Sequence, residues 1–176
     1  MEEQVILVDT NDVSIGTEEK MAAHRAGKLH RAFSIFVFNN KREVMLQQRA
    51  STKYHCPGLW TNTCCSHPRP GEETSAAAER RLKEEMGFVT ELKEIFSFTY
   101  RVEFDNGLTE HEFDHVFIGR YDGEPILNPA EAEAWRWVSL PALEKEMEAE
   151  PEQFTYWLKE CFEQLKLSPL FGSPTV

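Results

Sequence analysis

GEETSAAAERRLKEEMGF, residues 71–88, is the stretch on which the reading of the fold turns. Its middle, residues 74–86, predicts a helix: it is Ala-rich, Thr74 or Ser75 suits the N-cap, and Gly87 stands just past the end. Ala78, Leu82 and Met86 recur at spacing four and form an apolar stripe for a core. Arg81, Glu84 and Glu85 share another face, and Glu72 stands just ahead of the helix. Such a face is either solvated and laced with ion pairs or turned inward onto a charged ligand.

Outward from this helix the chain alternates between extended and helical patterns. QVILVD (4–9) predicts a first strand, and AFSIFVF (32–38) and VMLQQR (44–49) predict a hairpin about NNK. KYHCPGLW (53–60) is a loop held by Pro57 and Gly58. EIFSFTYRVEF (94–104) and TEHEFDHVFIGRY (109–121) are strands about the turn DNG, and EAWRWVSL (133–140) is a further strand. Two acidic helices are predicted near 141–149 and 151–166, with Pro151 at a first helical position. Strands, helix, strands and then helices imply the α/β (α+β) class: a sandwich around a mixed sheet, with residues 1–176 forming one domain.

The chain carries 30 Asp and Glu against 19 Lys and Arg, a net charge of −11, which argues against a general nucleic-acid binder. A local convergence of its few cations is still able to hold a small anion. No apolar run reaches membrane-spanning length, and MEEQVILVDT lacks the basic start of a signal peptide. The expectation is a cytoplasmic protein without membrane or nucleic-acid partners, monomeric or homodimeric. Four cysteines, at 56, 64, 65 and 161, lack the CxxC spacing and are expected to be reduced thiols.

TNTCCSHPRP (61–70) places adjacent Cys64 and Cys65 two residues before His67. Metal binding, redox chemistry and acid–base chemistry are all open to such a group. Alternation on a short strand sends Cys64 and Cys65 to opposite sides. Glu110 and Glu112, two apart on a strand, point one way, and His111 points the other.

The run from Glu72 to Phe88 resembles the Nudix box, G-x5-E-x7-R-E-U-x-E-E-x-G-U with U a bulky apolar residue. It departs twice: Ser66 replaces the first glycine, and Arg81 replaces the first glutamate of the R-E pair. A cation at that position suits a phosphate oxygen and argues against hydrolysis by several carboxylate-held metals. TNTCCSHP, EKMAAHRAGKLHRAF and TEHEFDHVF, from about residue 4 to the helix near 157, resemble the type I isopentenyl-diphosphate isomerases, a Nudix-fold branch.

That resemblance implies a Nudix-like α/β/α sandwich with added N-terminal and C-terminal elements. It implies a metal site of His24, His30, His67, Glu110 and Glu112, a donor set that suits Mn²⁺, Zn²⁺ or Mg²⁺. A second ion, Mg²⁺, would arrive with the substrate diphosphate and meet Glu85 and the backbone carbonyl of Cys65, with Glu84 as a neighbour. Lys20, Arg49, Lys53 and Arg81 match phosphate-binding positions. Cys65 and Glu112 match the acid and base, Tyr100 the tyrosine that bonds this glutamate, and Trp157 the aromatic face beside a carbocation.

His55, His115, Trp60, Trp135 and Trp137 are expected to be structural. The C-terminal helices are expected to cap the pocket, so that truncation before Pro151 leaves the sheet folded. A nucleoside-diphosphate hydrolase, a zinc module built on Cys64, Cys65 and His67, and a redox thiol protein are the competing readings.

Overall fold

The computed structural model describes residues 3–53 and 55–168. In chain order its elements are β1 (Gln4–Val8), β2 (Ser14–Glu19), α1 (Lys20–Ala26), β3 (His30–Phe38), β4 (Glu43–Arg49), β5 (Trp60–Thr61), β6 (Cys64–Ser66), α2 (Thr74–Met86), β7 (Lys93–Glu103), β8 (Thr109–Arg120), β9 (Ala132–Ser139), α3 (Leu140–Ala149) and α4 (Tyr156–Leu167). The sheet is mixed: β3 pairs parallel with β8 over its whole length, and the other ladders are antiparallel. Helices lie on both faces, as the alternating patterns predict.

The two faces of β3 and β4 supply two cores. On one, Phe36, Leu46 and Val116 meet Leu143 of α3 and Leu158, Phe162 and Leu165 of α4. On the other, Phe33, Ile35, Met45 and Phe117 meet Ala78, Leu82 and Met86 of α2, so the predicted apolar stripe is the buried one. α2 ends at Gly87, whose φ of 74° is the left-handed cap. An added Cβ there would stand 2.5 Å from the carbonyl oxygen of Ile126.

Several expectations need correction. The N-cap of α2 is Glu73, which makes no side-chain cap bond, and Thr74 is already helical. The β3–β4 hairpin pairs only at Phe38 and Val44. Its strands then diverge because β8 and β6 take the edges of β3, while β9 and β5 take those of β4. Pro151 opens a 3-10 turn, Pro151–Gln153, and the helix itself starts at Tyr156 behind a Thr155 cap. Phe154 is therefore extended rather than helical, and it bridges to Trp60. α4 is also more than a cap. Its Leu158, Cys161, Phe162 and Leu165 are core residues, so truncation before Pro151 would expose the face of the sheet that they cover. The tail beyond Ser168 lies outside the described residues.

Candidate active site

Three elements and one loop bring a histidine–glutamate cluster together. α1 is set by Glu19, whose carboxylate accepts from the amides of Met21 and Ala22 at 2.8 and 2.7 Å, and its last turn carries His24. His30 opens β3 and pairs in register with Glu112 of β8, while His67 follows β6. Alternation on β8 turns Glu110, Glu112 and Asp114 inward, and His111 instead meets the carbonyl of Gly27. One ligand atom from each of His24, His30, His67, Glu110 and Glu112 lies within 4.8 Å of all the others.

The donor chemistry of this cluster fits a divalent cation. Nδ1 of His24 donates to the carbonyl of Lys20 at 2.6 Å, and Nδ1 of His30 donates to that of Lys28 at 2.8 Å. These bonds turn Nε2 of each ring toward the cluster, where it lies 3.1 Å from Oε2 of Glu110 for His24 and 3.6 Å from Oε1 of Glu112 for His30. Burial pushes His67 down to about 4, so its imidazole is neutral. Burial raises the Glu112 carboxyl, but the imidazoles of His30 and His67 outweigh it and hold the group well below the usual range. Glu110 and Glu112 are two buried carboxylates in this cluster, and a divalent cation would compensate their negative charge.

Cys65 and Tyr100 close on the same carboxylate from other elements. The Tyr100 hydroxyl donates to Oε2 of Glu112 at 2.6 Å, and burial followed by the Glu112 charge raises its pKa well above the ordinary value. Cys65 pairs with Ser34 across the β3–β6 ladder. Burial pushes its thiol up to about 12 against the pull of Arg49, so it carries its proton. Cys64 faces the other way into the core under α2, as alternation requires. No cysteine belongs to the ligand cluster, which removes the zinc reading built on Cys64, Cys65 and His67.

Cys65, Tyr100, Glu112 and Trp157 line one cavity of about 40 Å³, together with Arg49 and Glu85. Trp157 is 3 % exposed, and the Arg49 guanidinium lies 5.2 Å from its ring centroid. A cavity of about 300 Å³ adjoins it and shares Lys20, Lys53, His67, Arg81 and Glu131. All four predicted phosphate-binding cations therefore face this connected space.

The cations are met by carboxylates. Lys20 pairs with Glu3 at 3.1 Å, Lys53 with Glu131 at 2.6 Å, and Arg81 with Glu85 at 2.6 Å and Glu131 at 3.0 Å. Glu85 also accepts from the amide of Gln47 at 3.0 Å, whereas Glu84 bonds Arg80 and Arg81 on the outer face and does not line the cavity. Glu72 is tied to Arg80 by two hydrogen bonds of 2.7 and 2.8 Å and stands apart as well.

His55, expected to be structural, lines the cavity, and its Nε2 lies 2.8 Å from Oε1 of Glu110. Its loop position gave no periodicity from which that role could be read. Gln47 and Glu131 were likewise unmarked, although a glutamine in an otherwise apolar strand is a signal of a buried polar partner. His115 fits its structural expectation, bonding Glu94 at 2.7 Å and Asp12 at 3.0 Å away from the cavity. Trp135 and Trp137 pack against one core and Trp60 against the other.

Known proteins resemble the chain in sequence and in fold. A family model described as NUDIX domain matches residues 28–158. An isopentenyl-diphosphate Delta-isomerase 2 from Aromatoleum aromaticum is 57 % identical over 94 % of this chain and 87 % of its own length. An isopentenyl-diphosphate Delta-isomerase from Burkholderia multivorans is 52 % identical over 97 % of each chain. A crystal structure from Deinococcus radiodurans, 22 % identical, superposes with a TM-score of 0.78 over 92 % of this chain and 98 % of that one, a likeness of fold.

Proposed function

The chain belongs to the NUDIX family and, within it, to the isopentenyl-diphosphate Delta-isomerases, it interconverts isopentenyl and dimethylallyl diphosphate, and we propose that it does so with Cys65 and Glu112 as the paired acid and base. The observation that carries this reading is the convergence of Cys65, Glu112, Tyr100 and Trp157 on one cavity that opens onto Lys20, Lys53 and Arg81.

The diphosphate would replace carboxylates as the partner of Lys20, Lys53 and Arg81, with Arg49 deeper in the cavity. The five-carbon chain then extends toward Cys65 and Glu112. One of these groups protonates C4 of the unactivated alkene, and the other removes a proton from C2 of the tertiary cation at C3. A proton-bearing thiol and an ionised carboxylate are the two states this division of labour needs. Tyr100 holds Glu112 in place through its 2.6 Å hydrogen bond. The Trp157 ring offers a face that stabilises the cation without trapping it, and the enclosing helices exclude the water that would capture it.

His24, His30, His67, Glu110 and Glu112 would hold Mn²⁺, Zn²⁺ or Mg²⁺, and Glu85 with the Cys65 carbonyl would meet Mg²⁺ accompanying the substrate; these ions supply charge compensation for the buried carboxylates and for the diphosphate. We place the protein in the cytoplasm, since its four cysteines are free and no helix among the described residues is long and apolar enough to cross a membrane.

A hydrolase built on Glu72, Glu84 and Glu85 is disfavoured because Glu72 and Glu84 face away from the cavity. The test is incubation of the metal-loaded protein with isopentenyl diphosphate, followed by phosphorus and proton NMR. Dimethylallyl diphosphate with an intact diphosphate is expected, whereas released phosphate without isomer would overturn the reading.

A further inference from the structure

Trp157 does not hold its place by packing alone. Its Nε1–H donates to Oγ1 of Thr61 at 2.8 Å, and the Thr155 hydroxyl donates to the same oxygen at 2.9 Å. Thr61 is 0 % exposed, as are Thr155 and Asn62. The direction of every proton in this knot follows from Asn62. Its amide nitrogen donates to the carbonyls of Ile35 at 3.2 Å and Cys64 at 2.8 Å, so its Oδ1 is left as an acceptor. Thr61 must donate to that oxygen, at 2.9 Å, and both its lone pairs are then free to accept from Trp157 and Thr155.

The knot joins two walls of the cavity. Asn62 grips the carbonyl of Cys64, the residue beside Cys65 on β6, while Thr61 grips the indole. Thr155, the cap of α4, accepts from the amide of Leu158, so the helix start is tied to the same oxygen. Near it, the amide of Thr155 donates to the carbonyl of Trp60 at 3.0 Å.

We propose that Thr61 is a positioning residue for the isomerisation: its hydroxyl, oriented by Asn62, fixes the plane of the Trp157 indole relative to the strand that carries Cys65. This deepens the proposed function and rests on it. A hydroxyl with one donor and three committed partners admits one arrangement of the ring. Without it the indole N–H is buried with no acceptor, and the ring turns to find one. The cation face would be misplaced, while Lys20, Lys53 and Arg81, which stand on other elements, would still meet the diphosphate.

The test is Thr61→Val, which keeps the shape and removes the hydroxyl, beside Thr61→Ser, which restores it. In the metal-loaded enzyme, Thr61→Val is expected to lower kcat by roughly 10²-fold with KM within about twofold of wild type. Thr61→Ser should recover most of that loss. In ¹⁵N-correlated spectra the indole signal of Trp157 should move in Thr61→Val while those of Trp60, Trp135 and Trp137 stay. Added to Trp157→Phe, which has no N–H to hold, Thr61→Val should cost little more.

Wild-type kcat in Thr61→Val, or a full further loss in the Trp157→Phe background, would overturn the proposal. If Thr61→Val does not fold, site-specific replacement of Trp157 by its benzothiophene analogue removes only the N–H and should give the same loss of kcat. Undiminished kcat there would overturn the proposal equally. Absence of isomerisation by wild type would instead strike the function itself, and the indole shift would still report the hydrogen bond.

Discussion

At the inner end of the cavity, His24, His30, His67, Glu110 and Glu112 are all at most 9 % exposed, and their partners are backbone carbonyls, Tyr100, His55 and one another. At the mouth, Lys20, Lys53 and Arg81 retain 14–19 % side-chain exposure, and each is paired directly with a carboxylate beside the cavity. At the inner end main-chain carbonyls hold His24 and His30, and the Tyr100 hydroxyl holds Glu112, so the protein itself sets their placement. The mouth is held by ion pairs that exchange. Chemistry that needs sub-ångström placement is set at the first, and recognition of a mobile anion at the second.

Removing groups at the two ends should therefore have different signatures. The largest effect is expected at the inner end. Cys65→Ala should lower kcat by about 10²–10⁴-fold with a normal thermal transition. A loss that appears only in KM would place the thiol with the mouth instead.

Next is the wall behind both ends. Phe162→Ala, in the core that α4 shares with the sheet, should cost about 3–5 kcal/mol in denaturant unfolding, and deletion from Pro151 onward should unfold the chain. A folded sheet after that deletion would restore α4 to a mere cap.

The ligand cluster comes third. Mn²⁺ at about 100 times its Kd should raise stability by about 2.7 kcal/mol in wild type, measured as a rise in Tm, and His30→Ala should remove the rise. An equal rise in the variant would show that the ion binds elsewhere.

At the mouth, Arg81→Ala should raise KM for the diphosphate by about 10-fold or more, with the smaller change in kcat. Dominance of kcat there would erase the distinction between the two ends.

The smallest effect is expected outside the cavity, at Glu72. Hydrogen bonds from Arg80 hold its carboxyl below the ordinary 4.5. A lowered folded-state value means that the ion pair stabilises the protein above about pH 4.5 and that this contribution fades as pH falls through the folded-state value. Glu72→Gln should flatten the acid limb of stability by about 1 kcal/mol or less, read by urea unfolding between pH 6 and 3.

The contrast also marks what was legible in the sequence. α2 was predicted at its observed bounds because its apolar stripe, its alanines and Gly87 agree. The β7–β8 hairpin was legible from two long alternating strands about a DNG turn. Glu110 and Glu112 on one side of β8, and Cys65 opposed to Cys64, follow from strand alternation alone. What was missed is non-periodic or non-local. β5 and β6 are two and three residues long, too short to show a pattern. The divergence of β3 from β4 depends on which strands compete for their edges. His55 and Glu131 are on loops, where no spacing predicts what a side chain meets. α4 was legible as amphipathic, but its share of the core depends on the face of the sheet that awaits it.

The most direct test of the acid–base pair is isomerisation of isopentenyl diphosphate in D₂O, followed by proton NMR, with wild type beside Cys65→Ala. The account predicts dimethylallyl diphosphate carrying deuterium in a methyl group from wild type, and essentially none from the variant. Isomerisation that continues at the wild-type rate in Cys65→Ala would contradict it.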